Sequence, residues 1–311
     1  MSIYLDPKND VTFKKVFGQH KKVLISFLNA LLPLQENQQV EQVEFLNNEL
    51  LPALSELKST MVDIRCRDNL GRQFIVEMQM VWTEGFYSRV LFNACKAFSH
   101  QINRGDPYEV LFPVFSLNIV NDRFSRQSAH WYHHYALAHQ SLPNSFLEGL
   151  SFVFIELPNF MPANVSERKA TVLWLRFLKE INNRTSMIPE ELLEVPEIAE
   201  AVEALKVTSY SKEELEKYEK YWDVVRIQKT FVIDAFKKGK AEGKAEGKAE
   251  GMAEGMAEGM AEGKEEGRKE ANMQFAIYLI NNTEFGNDKI AALVGVDELM
   301  VAKLRNGIFG D

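Results

Sequence analysis

The sequence predicts an α/β domain: a mixed β-sheet flanked by helices, in the order helix, three strands, helix, strand, with an α-helical C-terminal extension. Three observations predict it. Apolar residues recur at helical spacing over 10–32 and again over 85–104. Between these stretches, 40–45 and 61–80 alternate with the period of a strand. After the second helix, VLFPVFSLNIV (110–120) is almost continuously apolar, as a strand covered on both faces is. The strand–helix–strand unit that ends there calls for a right-handed crossover between parallel strands.

Each element has its own signal. DVTFKKVFGQHKKVLISFLNALL (10–32) places Val16, Phe17, Leu24, Phe27, Leu28 and Leu31 on one stripe, with Asp10 at its start and Pro33 after its end. VEQVEF (40–45) is a short strand. MVDIRCRDNLGRQFIVEMQM (61–80) is two strands around the turn DNLGR. The helix 85–104 sets Phe86, Val90, Leu91, Ala94 and Phe98 on one side and Arg89, Asn93, Lys96 and His100 in a polar stripe. Further on, HWYHHYAL (130–137) and SFVFIEL (151–157) read as strands, ATVLWLRFLKEI (170–181) as a helix, and 189–236 as helical throughout.

Bulk properties narrow the function. A net charge of −8 excludes a general nucleic-acid coat but leaves room for an enzyme with a local basic cleft. No apolar run approaches the length of a membrane span, and the N-terminus lacks a signal-like apolar core, so a cytoplasmic protein with no membrane association is expected. Cys66 and Cys95 both fall inside patterned elements and read as small buried hydrophobes of a reducing compartment. His130, His133, His134 and His139 have no Cys or carboxylate at ligand spacing and read as a surface strand.

The DNLGR turn makes a geometric prediction. With Asn69-Leu70-Gly71 as a three-residue loop, Gly71 occupies the left-handed position. Asp68 then pairs with Arg72, and opposed residues sum to 140, which sets Asp63 across from Glu77. Glu77 and Gln79 share a strand face with Ile75 and Val81, while Phe74, Val76, Met78 and Met80 take the other. Two opposed carboxylates repel unless a cation lies between them. A pair of carboxylates is a common way to hold Mg²⁺ in phosphoryl-transfer enzymes. The alternative is an Asp63–Arg65 ion pair with Glu77 solvated.

The stretches LDPKNDVTFKKVFG (5–18), MVDI (61–64), IVEMQ (75–79), and Arg89 through Gln101 leading into GDPYEVLFPVFSLNI (105–119) resemble, in this order, the PD-(D/E)XK nuclease superfamily. Within it they resemble the bacterial recombination-promoting nuclease (putative transposase) family, over residues 1 to about 160. The resemblance implies a restriction-endonuclease-like core and a DNA endonuclease dependent on Mg²⁺, with Mn²⁺ as a possible substitute. It makes Asp63 and Glu77 the metal ligands and sets Gln79 at the position that is lysine in the superfamily pattern. A neutral Gln orients water but supplies no charge, so Lys14, Arg89 and Lys96 become the candidate cations toward DNA. Asp10 also matches a family position, as a third carboxylate or as the N-cap of its helix. Gln101 matches one too, with helix-surface hydrogen bonding as its ordinary use. The alternative function is a nuclease fold that has lost catalysis at Gln79 and serves as a DNA-binding or oligomeric scaffold.

The expected organisation is a nuclease core (1–160), an α-rich extension (161–236), a Gly/Ala/Glu/Lys repeat (237–270) and a small helical tail (271–311). Glycine at every fourth position from Gly239 to Gly267 weakens an isolated helix, which favours a linker or frayed helix. The other option is close approach of a second helix in a homodimer formed through the repeat and tail. In the tail, two short helices are expected with Gly295-Val296-Asp297 as turn and N-cap, as a helix-turn-helix or a dimerisation unit.

Overall fold

The computed structural model describes residues 3–50, 60–83, 85–124, 130–161 and 169–307. Met1–Phe231 and Val232–Asp311 form two compact units, taken separately below.

The first unit holds a mixed six-stranded sheet with helices on both faces. Its strands are β1 (Val43–Phe45), β4 (Ile64–Asp68), β5 (Gln73–Gln79), β6 (Val114–Val120), β8 (Leu142–Glu156) and β7 (Tyr132–His139), side by side in that spatial order. Two further strands, β2 (Glu49–Leu50) and β3 (Thr60–Met61), pair with each other. β5 and β6 run parallel across the helix α3 (Gly85–Ser99), as the sequence predicts for this crossover. β8 is parallel to β6 and antiparallel to β7.

The hairpin between β4 and β5 has the predicted register. Ile64 faces Val76, Arg65 faces Ile75, Cys66 faces Phe74 and Arg67 faces Gln73. Gly71 has φ +85°, and a Cβ there would lie 2.7 Å from the Phe112 ring, so both backbone and neighbour require glycine. The Asp68 carboxylate closes the loop by accepting from the Leu70 and Arg72 amides at 3.0 and 2.9 Å.

The two faces of β5 meet different layers. Phe74, Val76 and Met78 join the main core with Phe13, Val16 and Phe17 of α1 (Asp10–Gln19) and Leu24, Phe27 and Leu28 of α2 (Lys21–Leu31). Trp174 and Phe177 of α4 (Ala170–Glu180) and Ile198 of α6 (Pro196–Ala204) complete that layer. Its centre is aromatic: the Phe17 ring lies 4.4 Å from Phe27 and 5.7 Å from Trp174. On the other face Ile75 and Val114 pack against Ala94 and Ala97 of α3. Glu77 points to this second face.

Several expectations need correction. The helix expected over 10–32 is two helices, broken at His20, whose extended φ of −112° and ψ of 94° let Phe17 turn back onto Phe27. Asn9, not Asp10, caps α1, its side chain accepting from the Val11 amide at 3.0 Å. The region 189–236 is not one helix: α5 (Glu190–Leu193), α6 and a 3₁₀ turn (Val207–Ser209) precede α7 (Lys212–Asn282). Cys66 is buried as expected, whereas Cys95 on α3 is exposed. Of the two forms expected for the repeat, linker or helix, α7 shows the helix along its whole length. Ala, Glu, Lys and Met, good helix formers, occupy the positions between its glycines.

In the second unit the tail matches its prediction. α8 (Asn287–Val294) ends on left-handed Gly295 with φ +75°, and the Asp297 side chain caps α9 (Glu298–Arg305) through the Leu299 amide. Ala276 and Leu279 of α7 pack with Ile290, Val294 and Val301. Among the described residues no helix is long and apolar enough to cross a membrane.

Candidate active site

Asp63 and Glu77 converge where the β4–β5 ladder ends. The pairing stops at Ile64, because the chain bends at Asp63 and Asn48 fills the gap. The Asn48 amide donates to the Asp63 carbonyl at 2.8 Å and accepts from the Arg65 amide at 3.0 Å. The bend frees the Asp63 carboxylate, whose Oδ2 accepts from the Met78 amide at 2.8 Å. Asp63 therefore bonds to the strand through its side chain, one residue along from Glu77.

Both carboxyls are expensive to ionise. Glu77 is only 6% exposed, and its sole hydrogen-bond donor among the described residues is Asn93 Nδ2, at a long 3.4 Å. Burial first, and then the charge of Asp63, push the Glu77 carboxyl up to about 8, against the weaker pull of Arg89, Lys14 and Asn93. Burial also raises Asp63, with Lys14 and the Met78 amide opposing it and Asp10 adding to it.

Cations flank the pair on two sides. Lys14 Nζ sits 2.6 Å from Asp10 and 3.6 Å from Asp63. Burial works against its charge, but Asp10 and Asp63 outweigh burial and hold the ammonium above the ordinary lysine range. Lys14 is thus a fixed cation and not a base. Asp10 reaches the pair through Lys14, and among the described residues no group of three or more His, Cys, Asp or Glu side chains converges to hold a metal. On the other side Arg89 Nη2 donates to Gln79 Oε1 at 2.7 Å and stacks its guanidinium over Phe86 at 4.8 Å. Gln79 Nε2 donates in turn to the Val81 carbonyl at 2.7 Å. Gln79 is therefore an amide clamped at both ends, and the positive charge beside it belongs to Arg89.

The other sequence candidates lie further out. Lys96 Nζ donates to the Leu50 carbonyl at 2.7 Å, and Arg65 bonds Gln73 rather than Asp63, so the alternative Asp63–Arg65 pair does not form. Gln101 bridges both backbone groups of Phe112, at 2.9 and 3.1 Å. The histidines lie on β7 and the residues just before it, with His133 and His134 bonded to the His130 carbonyl and to Ser151.

Two residues of the site escaped the sequence reading. Asn93 is 1% exposed, accepts from Thr60 Oγ1 at 3.0 Å and donates to Glu77, so it ties β3 to the carboxylate. Its place one turn after Arg89 in the α3 polar stripe was a usable signal. Tyr221, on α7, is pushed above the ordinary phenol range by burial first, and then by the charges of Asp63, Asp10 and Asp6. No local pattern connects a residue so distant in sequence to the hairpin.

No curated protein and no solved structure matches the chain significantly. A family model described as PD-(D/E)XK nuclease family transposase matches residues 7–232, which include the sheet, α3, Asp63, Glu77, Gln79 and Arg89. On that match, over more than half of its length, the chain belongs to the PD-(D/E)XK nuclease transposase family.

Proposed function

We propose that the protein is a divalent-metal-dependent DNA endonuclease, with Mg²⁺ as the ion and Mn²⁺ as its substitute, that promotes recombination or transposition-like events by breaking phosphodiester bonds. The carrying observation is the Asp63–Glu77 pair. Two carboxyls share a buried corner, each raised in pKa, with too few donors to stabilise two negative charges. Their oxygens fit a hard divalent cation, and Asp63 and Glu77 are the residues that would hold it. A bound cation supplies a more acidic water and offsets charge on the phosphoryl oxygens.

The chain's own residues perform the remaining tasks. Asn93 positions the Glu77 carboxylate, and the Met78 amide positions Asp63. Gln79, oriented by Val81 and Arg89, is placed to align an attacking water, while Arg89 takes the electrostatic role of the absent lysine. Lys14, kept protonated by Asp10, faces the same corner and binds a phosphate oxygen. Lys96 contributes positive charge along the same helix.

We assign residues 1–160 to the nuclease core and 161–236 to its extension, with the repeat and tail as an assembly segment. That segment would form a homodimer, in which glycine at every fourth position lets two helices approach closely. The alternative scaffold reading has Gln79 in its favour, but the clamped Gln79–Arg89 pair is a built arrangement rather than a vacated one.

Metal binding tests the site. Near pH 7 a divalent ion must displace the Glu77 proton, so Mn²⁺ titration calorimetry should show heats that vary with buffer ionisation enthalpy, corresponding to about one proton released. Glu77→Gln should bind more weakly and release none. Equal binding by wild type, Asp63→Asn and Glu77→Gln would remove the assignment.

A further inference from the structure

A second polar pocket, of about 780 Å³, opens at the turn end of the β4–β5 hairpin; Arg65, Arg67, Gln73 and His100 are among the residues lining it. We propose that it binds a backbone phosphate of the DNA strand that is cut at Asp63–Glu77, a subsite that rests on the nuclease reading for the identity of its ligand.

Arg65 carries the argument. Its guanidinium is fixed by Gln73, whose Oε1 accepts from Nε at 3.3 Å and from Nη2 at 2.9 Å, and by the Asn47 carbonyl, 3.4 Å from Nη1. Gln73 is itself buried, at 6% exposure. Every one of these partners is neutral. The neighbouring arginines differ: Arg67 has Glu44 at 2.9 Å and Arg72 has Asp68 at 2.7 Å. Glu44 and Asp68, the carboxylates on the pocket wall, are thereby already neutralised. Arg65 is left, among the described residues, as a half-buried cation without a counter-charge, and an anion is the partner such a group lacks. A guanidinium held in one orientation with N–H groups to spare is suited to phosphate oxygens.

His100 adds a second basic group on the same wall. Burial, and then the positive charges of Lys96 and Arg65, depress it below the ordinary imidazole range. An anion arriving between Arg65 and His100 would reverse that electrostatic pressure and make the ring a donor.

Placement favours a DNA strand over a free nucleotide. Arg65 pairs with Ile75, which lies two residues before Glu77 on β5 and therefore on the same face, about 7 Å along the strand. His100 follows Asn93, the Glu77 contact, by seven residues, or about 10 Å of helix rise, although α3 proper ends at Ser99. Strand and helix both carry a basic group away from the carboxylate pair, by the rise of about two to three nucleotides of one DNA strand.

The test is fluorescence anisotropy of the full chain with a labelled 20-base-pair duplex, in EDTA, across a salt series. Arg65→Gln should weaken binding about tenfold for any duplex sequence and reduce the salt slope by about one. Arg65→Lys should keep the slope and lose part of the affinity. His100→Asn, at an exposed helix end, should weaken binding at pH 6 with an unchanged melting temperature, which separates the effect from misfolding. An unchanged slope in Arg65→Gln together with unchanged affinity in His100→Asn would overturn the subsite. So would ATP binding that depends on Arg65 while duplex binding does not. Plasmid nicking by the same proteins keeps the two ideas apart. Nicking by wild type with no slope change removes the subsite alone, and a lowered slope without nicking removes the nuclease reading and keeps the phosphate site.

Discussion

Replacing Glu77 with Gln should stabilise the metal-free protein at alkaline pH, and the size of the effect follows from its surroundings. The carboxyl moves from a reference near 4.5 to about 8 in the fold, first because it is buried and then because Asp63 is close. A raised carboxyl favours the folded state while it is protonated. Its stabilisation is complete below about pH 4.5 and is lost as pH rises through about 8. At about 1.4 kcal/mol per pH unit, the loss over that window is about 5 kcal/mol. Urea denaturation in EDTA at pH 5 to 9 measures it, followed by tryptophan fluorescence, since Trp82, Trp131, Trp174 and Trp222 all lie within 1–231. The wild-type midpoint should fall steadily to about pH 8 and then level, while Glu77→Gln should lack this component and exceed wild type at pH 9. Saturating Mg²⁺ should restore wild type at high pH, by about 2.7 kcal/mol at a hundredfold excess over Kd, and stabilise the more weakly binding variant by much less at the same concentration. Parallel pH profiles for the two proteins would refute the reasoning, because the carboxyl would then be no more costly to ionise in the fold than out of it.

Gly71→Ala should cost about 2 kcal/mol or more, since it combines a left-handed backbone with a 2.7 Å approach to Phe112; chemical denaturation showing less than 0.5 kcal/mol would contradict the turn geometry. Asn93→Leu keeps the volume but strands Thr60 and Glu77, so divalent-ion affinity should fall about tenfold in titration calorimetry. Arg89→Met removes a charge that pulls Glu77 down, so the activity–pH profile should shift to higher pH, and kcat should drop about 100-fold at saturating metal.

The hairpin was legible because its geometry is local. One glycine at the third loop position decides the turn, the turn decides the register, and the register decides which carboxylates share a face. The order of strands and α3 was legible for a similar reason: periods of two and 3.6 separate cleanly there. The break at His20 was not, since helical spacing continues across it and Gly18, two residues earlier, is still helical inside α1. The position of Lys14 against Asp63, and Tyr221 altogether, were harder still. Lys14 meets Asp63 only because α1 packs beneath β4, and Tyr221 arrives from α7 at the far end of the first unit. Asn48, which opens the ladder so that the Asp63 carboxylate can take the Met78 amide, is an ordinary loop residue until the bend it supports is seen. The repeat left linker and helix both open in the sequence. Its glycine cost is real, but a helix carried in continuously from residue 212 has no nucleation penalty left to meet.

The most direct test of the central claim is supercoiled-plasmid cleavage by wild type, Asp63→Asn and Glu77→Gln in Mg²⁺ and in EDTA. The account predicts nicked and linear products from wild type in Mg²⁺ alone, and at least a hundredfold loss in each variant with folding intact. Cleavage that persists in EDTA, or that proceeds equally in all three proteins, would contradict it.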